Sequence, residues 1–181
     1  KISYLFPRAH AVAYVMMAFR IAWFKVYHPL AFYAAYFSIR AKAFDLRIMT
    51  GDLKTQLTEF NRIKALDRAA SPKDKDLMSA LEVSMEMYQR GYRFINVDIQ
   101  HSEARRFSIK DGALLPPFLA IDSLGETVAD AIVEERNERP FTSLKDLQRR
   151  CKVSNTIIDL MKDLKCCGEL PEDEQMSLFG A

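Results

Sequence analysis

Cysteines and histidines are few in this 181-residue sequence, and none sits where a metal site would need it. Cys151, Cys166 and Cys167 form no C-x-x-C pair, and none of His10, His28 and His101 stands at ligand spacing from them. Neither a zinc site nor a disulfide framework is therefore indicated, and free thiols fit a reducing cytoplasm. A charge excess is also missing. The formal net charge is +2, which argues neither for nor against nucleic acid, so any such contact must come from local patches. Ala11 to Phe19 is apolar throughout, but Arg20 and Lys25 interrupt the run before the roughly 20 residues a membrane span needs. A buried core helix is expected there, and no membrane partner, with apolar faces of the first two helices left exposed in an excised piece. A methionine start and a signal-peptide n-region are absent too. Lys1 opens almost directly onto a helical pattern, as in a piece of a longer protein.

What is present is enough to fold. A hydrophobic content of 49% can fill the core of one ordinary domain or two small ones. Pro29 ends the first helix, because its ring cannot continue the hydrogen-bond ladder, and opens a second over Leu30 to Arg40. Asp45 is placed to cap a long helix running through Leu46, Leu53, Leu57, Phe60, Ile63 and Leu66, with Gly51 as its weak point. Ser71 and Pro72 begin another, Lys73 to Arg90, with Leu77, Leu81, Met85 and Tyr88 inward and Gly91 as its stop. Its methionines fit a core rather than a cofactor pocket. Tyr92, Phe94, Ile95, Val97 and Ile99 favour extended chain, and Asp111-Gly112 lies between two apolar runs as a hairpin turn. The expected class is mainly α: helices over 1–91, an extended and β-hairpin connection over 92–117, a second helical region over 118–170 and a tail over 171–181.

The second helical region carries the first chemical signal, "IDSLGETVADAIVEERNERPFTSLKDL". A helix-hairpin-helix motif needs a tight turn followed by a helix whose free N–H groups face a phosphate. Ser123, Leu124 and Gly125, followed by Ala129 and Ile132, fit that need, and glycine at 125 permits positive φ and a close phosphate. A second copy is expected at Lys152-Val153-Ser154-Asn155, with Ser154 as the cap of a helix Thr156 to Leu164. Lys145, Arg149 and Arg150 lie between the two and suit backbone phosphates. Two such hairpins would hold duplex DNA without reading bases. The same charges also fit a solvated helix surface.

Together these pieces resemble one family. "YLFPRAHAVAYVMMAFRIAWFKVYHPLAFYAAYFS" is similar to the end of the fingers region of bacterial C-family replicative DNA polymerases, the α subunits of DNA polymerase III, with its F-x-[KR]-x-H-x-x-x-Y block and "YHP" turn. "FLAIDSLGETVADAIVEERNERPFTSLKDL" resembles the same family's duplex-binding helix-hairpin-helix domain. The resemblance runs through essentially the whole chain. It departs at Ser123, where many such hairpins carry a glycine. It implies that Arg8, His10 and Tyr14 face the incoming nucleotide. His10 and Tyr14, four apart, share a helix face, and Arg8 stands at the N-terminal end, where a triphosphate is favoured.

The tail, "EDEQMSLFGA", places Met176, Leu178 and Phe179 at an end that should fray in water. They either fold back onto the domain or are kept for a partner. Gln175, Met176, Ser177, Leu178 and Phe179 resemble the sliding-clamp-binding pentapeptide Q-L-[SD]-L-F, with Met176 a volume-conserving substitute for Leu. The motif's position near the end of the chain resembles the PolC type rather than the DnaE type. Nothing resembles the palm, whose aspartates hold two metal ions. Magnesium is therefore expected elsewhere in the full polymerase and no cofactor in this chain, with Asp45 and Asp98 in capping or surface roles. The implied partners are duplex DNA, the sliding clamp, the remainder of the polymerase and a deoxynucleotide. The alternative is a free-standing, non-enzymatic DNA-binding clamp adaptor.

Overall fold

Local stop and start signals cut the chain into eight α-helices and one hairpin among residues 7–173, which the computed structural model describes. Helix α1, Arg8–Tyr27, ends at His28, and Pro29 opens α2, Pro29–Ala35, which widens into a π-helical turn over Tyr36–Arg40. The long helix expected from Asp45 to Leu66 is two helices. Asp45 caps α3, Leu46–Met49, by accepting from the Ile48 N–H at 3.0 Å, and Asp52 caps α4, Leu53–Leu66, by accepting from the Thr55 N–H at 2.8 Å. The break falls at Gly51, where a Cβ would lie only 3.1 Å from the Ile48 carbonyl oxygen, so the close turn itself selects glycine.

Ser71 and Asp74 form a reciprocal capping box on α5, Pro72–Gln89. Its buried face is Ala80, Leu81, Ser84 and Met87, while Leu77, Met85 and Tyr88 are only half-buried, so the inward stripe is turned from the expected one. Polarity explains the shift: Ser84 donates to Gln56 Oε1 at 2.6 Å, and Gln56 donates to the Met49 carbonyl at 3.1 Å, which satisfies both buried groups and joins α3, α4 and α5. Strands β1, Ser108–Lys110, and β2, Ala113–Leu115, pair antiparallel with Ser108 opposite Leu115. Asp111 and Gly112 both have positive φ, 50° and 74°, as a two-residue type I′ turn requires. The extended segment before them joins this sheet by a parallel bridge, Phe94 to Leu114.

Helices α6, Glu126–Glu138, α7, Leu144–Cys151, and α8, Asn155–Asp163, complete the fold. Two apolar cores result. The first gathers Tyr33, Phe37, Met49, Leu81, Phe94 and Leu114; the second gathers Ile99, Phe118, Ile132, Leu147, Met161 and Cys166, and Phe44 packs against both.

Helix α1 overturns an expectation. Instead of a core helix it has no buried residue, and Phe19 is 72% exposed. Its apolar side chains surround the axis, and among the described residues its C-terminal end is tied down by Lys25 to Glu86 at 3.0 Å and by Arg90 donating to the Lys25 carbonyl at 2.9 Å. By length and composition α1 is apolar enough to cross a membrane, despite Arg20 and Lys25.

All three cysteines are buried free thiols. Loss of hydration pushes the Cys151 and Cys166 thiols up to about 12, and Cys167 upward as well. Only the thiolate alkylates. Iodoacetamide at pH 8 should therefore leave the folded chain unmodified by mass spectrometry and label all three after denaturation; labelling of the folded chain would contradict this packing.

Candidate nucleic-acid interface

One backbone figure occurs twice in the second core. In the first copy Ser123 is left-handed with φ 64°, Leu124 is 5% exposed, and Gly125, at φ −76° and ψ 158°, opens α6. In the second, Lys152 is left-handed at φ 54°, Val153 is 3% exposed, and Ser154, at φ −71° and ψ 155°, opens α8. Each left-handed residue reverses the chain and each apolar residue anchors the turn. The third residue, in extended conformation, presents a helix N-terminus. A non-glycine left-handed residue costs about 1 kcal/mol, so the buried anchor must hold it there.

Two features of the copies were not legible in the sequence pattern. Ahead of the first turn stands only a 3-10 turn, Phe118–Ala120, whereas α7 leads into the second. Glycine at 125 does not supply the positive φ, which falls on Ser123, the position where the motif commonly has glycine. A Cβ at Gly125 would meet nothing within 4 Å. Space in front of the helix is what Gly125 keeps open. Gly125 provides no side-chain cap to α6, while the Ser154 hydroxyl accepts from the Ile157 N–H at 3.4 Å.

The cations expected to meet phosphate separate into two kinds. Lys145, on the first residues of α7, is exposed and pairs with Asp173 at 2.5 Å. Arg149 is exposed and donates to Asp146 at 2.8 Å. Arg150 is instead turned inward. Its side chain is 11% exposed, pairs with Glu135 at 2.9 Å and Asp146 at 3.3 Å, donates to the Arg139 carbonyl at 3.1 Å, and lies 4.7 Å from the Phe141 ring centroid. The expectation that Arg150 faces a ligand is corrected: it braces α6 against α7. Asp146 is the buried centre of that brace. Burial alone would raise its carboxyl, but Arg149, the Thr142 N–H and Arg150 together hold it below the usual range. Asn155 accepts from Gln148 beside the second turn.

A brace that sequence reasoning missed steadies the first turn. Arg105 donates to Glu126 Oε2 at 2.6 Å and to Asp130 Oδ1 at 3.0 Å, tying the loop before β1 to the first turn of α6. Arg136 donates to the Ile99 and Ser102 carbonyls at 3.1 and 2.8 Å and holds the other side of that helix. Only the Glu126-x-x-x-Asp130 spacing on α6 hints at the first contact.

Comparison with known proteins agrees with this geometry. A family model described as a helix-hairpin-helix motif matches residues 91–175. DNA polymerase III PolC-type of Caldanaerobacter subterraneus subsp. tengcongensis is 48% identical over 99% of this chain. The proteins of the same name from Streptococcus suis and Streptococcus pyogenes serotype M12 are 47% and 46% identical over the same share. Nearly the whole chain thus matches one segment of proteins named DNA polymerase III PolC-type. It spans 13% of the length of the first of these relatives and 12% of the other two.

Elsewhere in the chain, Arg8, His10 and Tyr14 lie along the first two turns of α1, all exposed, with the His10 and Tyr14 rings edge to face at 4.5 Å between centroids. The two rings share a face, as their spacing requires. Among the described residues, no group of three His, Cys, Asp or Glu side chains is placed to hold a metal ion. Asp45 is a helix cap. Asp98 accepts from Lys110 at 2.8 Å and pairs with His101 at 2.7 Å. Gln175, Met176, Ser177, Leu178 and Phe179 lie outside the described residues.

Proposed function

We propose that this chain is a segment of a PolC-type replicative DNA polymerase. It supplies the rear of the fingers, a grip on duplex DNA that reads no sequence, and a tether to the sliding clamp. Nucleotidyl transfer belongs to a magnesium-bearing palm outside this chain. The repeated turn carries the reading: two apolar-anchored turns, each presenting a helix N-terminus, suit two backbone phosphates of one duplex. Ser123, Leu124, Gly125, Lys152, Ser154 and Asn155 form the two turns, with Lys145 and Arg149 beside them. Arg8, His10 and Tyr14 face the incoming deoxynucleotide, and Gln175 to Phe179 enter the clamp. The exposed apolar faces of α1 rest against the remainder of the polymerase.

Gly125→Val tests the grip without disturbing the fold. At φ −76° and with open space around the added Cβ, valine meets no backbone strain, and its methyl groups would stand where a phosphate must approach. Melting temperature should be unchanged, while duplex affinity measured by fluorescence anisotropy should fall about tenfold for every sequence tried, or about 1.4 kcal/mol. Undiminished binding, or a marked sequence preference in the parent chain, would count against the grip.

A further inference from the structure

The acidic start of the tail lies on the second hairpin unit. The Leu144 N–H donates to the Pro171 carbonyl at 2.9 Å and the Lys145 N–H to the Glu172 carbonyl at 3.2 Å, so the segment occupies the N-terminal end of α7. Its carboxylates reach two lysines: Asp173 Oδ1 is 2.5 Å from Lys145 Nζ, and Glu172 Oε1 is 2.7 Å from Lys162 Nζ on α8. The lysine ammonium holds the Glu172 carboxyl below its usual range. A helix N-terminus flanked by two ammonium groups is a surface for an anion, and here the chain's own backbone oxygens and carboxylates fill it.

We propose that residues 171–173 are an internal stand-in for DNA phosphate, covering a second phosphate-binding surface made by Lys145, Lys162 and the start of α7, and that duplex DNA displaces it. This rests on the duplex-binding reading above. The cover suits exchange. Both carboxylates are largely exposed, at 77% for Glu172 and 63% for Asp173, and exposed ion pairs hold weakly. A duplex backbone offers closely spaced phosphates to the same lysines. While the segment stays in place, Lys145 and Lys162 are neutralised and add nothing to DNA affinity.

Duplex binding of the 181-residue chain, followed by anisotropy with a labelled random-sequence duplex across a salt series, tests this. Glu172→Gln combined with Asp173→Asn keeps the side-chain shapes and the backbone bonds while freeing both lysines. Affinity at low salt should rise about threefold to tenfold, and the slope of log affinity against log salt should steepen by roughly 0.9 for each lysine released. Adding Lys145→Gln should remove about half of that steepening. Asp76→Asn with Glu82→Gln on α5 changes net charge equally and should leave the slope as it was. An unchanged slope in the tail variant, or an equal gain in the α5 variant, overturns the stand-in while leaving the grip intact. If no variant binds duplex at any salt, the duplex reading itself fails and the stand-in falls with it.

Discussion

Arg150→Ala should melt about 5–15 °C below the parent chain, the largest stability loss expected of any cation in the hairpin region. Removing the guanidinium leaves Asp146, whose side chain is fully buried, without one of its donors, and takes away the bonds to Glu135 and the Arg139 carbonyl. Stripping a partner from a buried carboxylate costs about 2–4 kcal/mol, and each kcal/mol shifts the midpoint of a chain of this size by about 2–4 °C. Arg150→Lys should recover little, because an ammonium is a point charge and cannot reach several acceptors as a planar fork does. Lys145→Ala touches an exposed pair and should stay within about 1 kcal/mol of the parent, while Arg149→Ala, whose exposed guanidinium also serves the buried Asp146, should fall between the two. Thermal melts of the four variants decide it, and a stable Arg150→Ala would refute the brace.

Clamp binding should disappear when Leu178 and Phe179 are both changed to Ala, with the melting temperature held. Each side chain entering an apolar pocket contributes roughly 1.5–3 kcal/mol, against the cost of ordering the tail, so the parent motif should bind in the micromolar range, about 8 kcal/mol. Losing both anchors moves that to millimolar or weaker. On the proposed reading modest affinity would suffice, since DNA and clamp held by one chain would reinforce each other through effective concentration. Surface plasmon resonance on immobilised clamp, paired with thermal melts, separates this from a tail folded onto its own domain. A folded-back tail would lower the melting temperature and show no clamp binding to lose.

Both predictions turn on distinctions that sequence reading reaches unequally. Arg149 and Arg150 are neighbours with the same charge, but they stand about 100° apart around a helix. The approach of Glu135 on α6 and of Arg139 just after it decides which points inward. The same limit applied to α1. Its unbroken apolar run reads as core in any window of sequence, whereas burial depends on what covers it, and the described residues reach only its C-terminal end.

The sequence by itself determined the elements whose causes are local. Pro29 separates α1 from α2, Ser71 with Asp74 starts α5, Asp111-Gly112 turns the hairpin, and Ser154 opens α8, because each acts within three or four residues of itself. The hairpin motif and the family were legible for the same reason, being carried by short spacings along the chain. Tertiary structure alone decided that Ser123 rather than Gly125 takes the left-handed turn, that Arg150 is a brace, and that the acidic tail root lies over Lys145 and Lys162. These depend on contacts between residues distant in sequence or on buried anchors such as Leu124, whose packing energy outweighs the weak preference of any one residue for a backbone conformation.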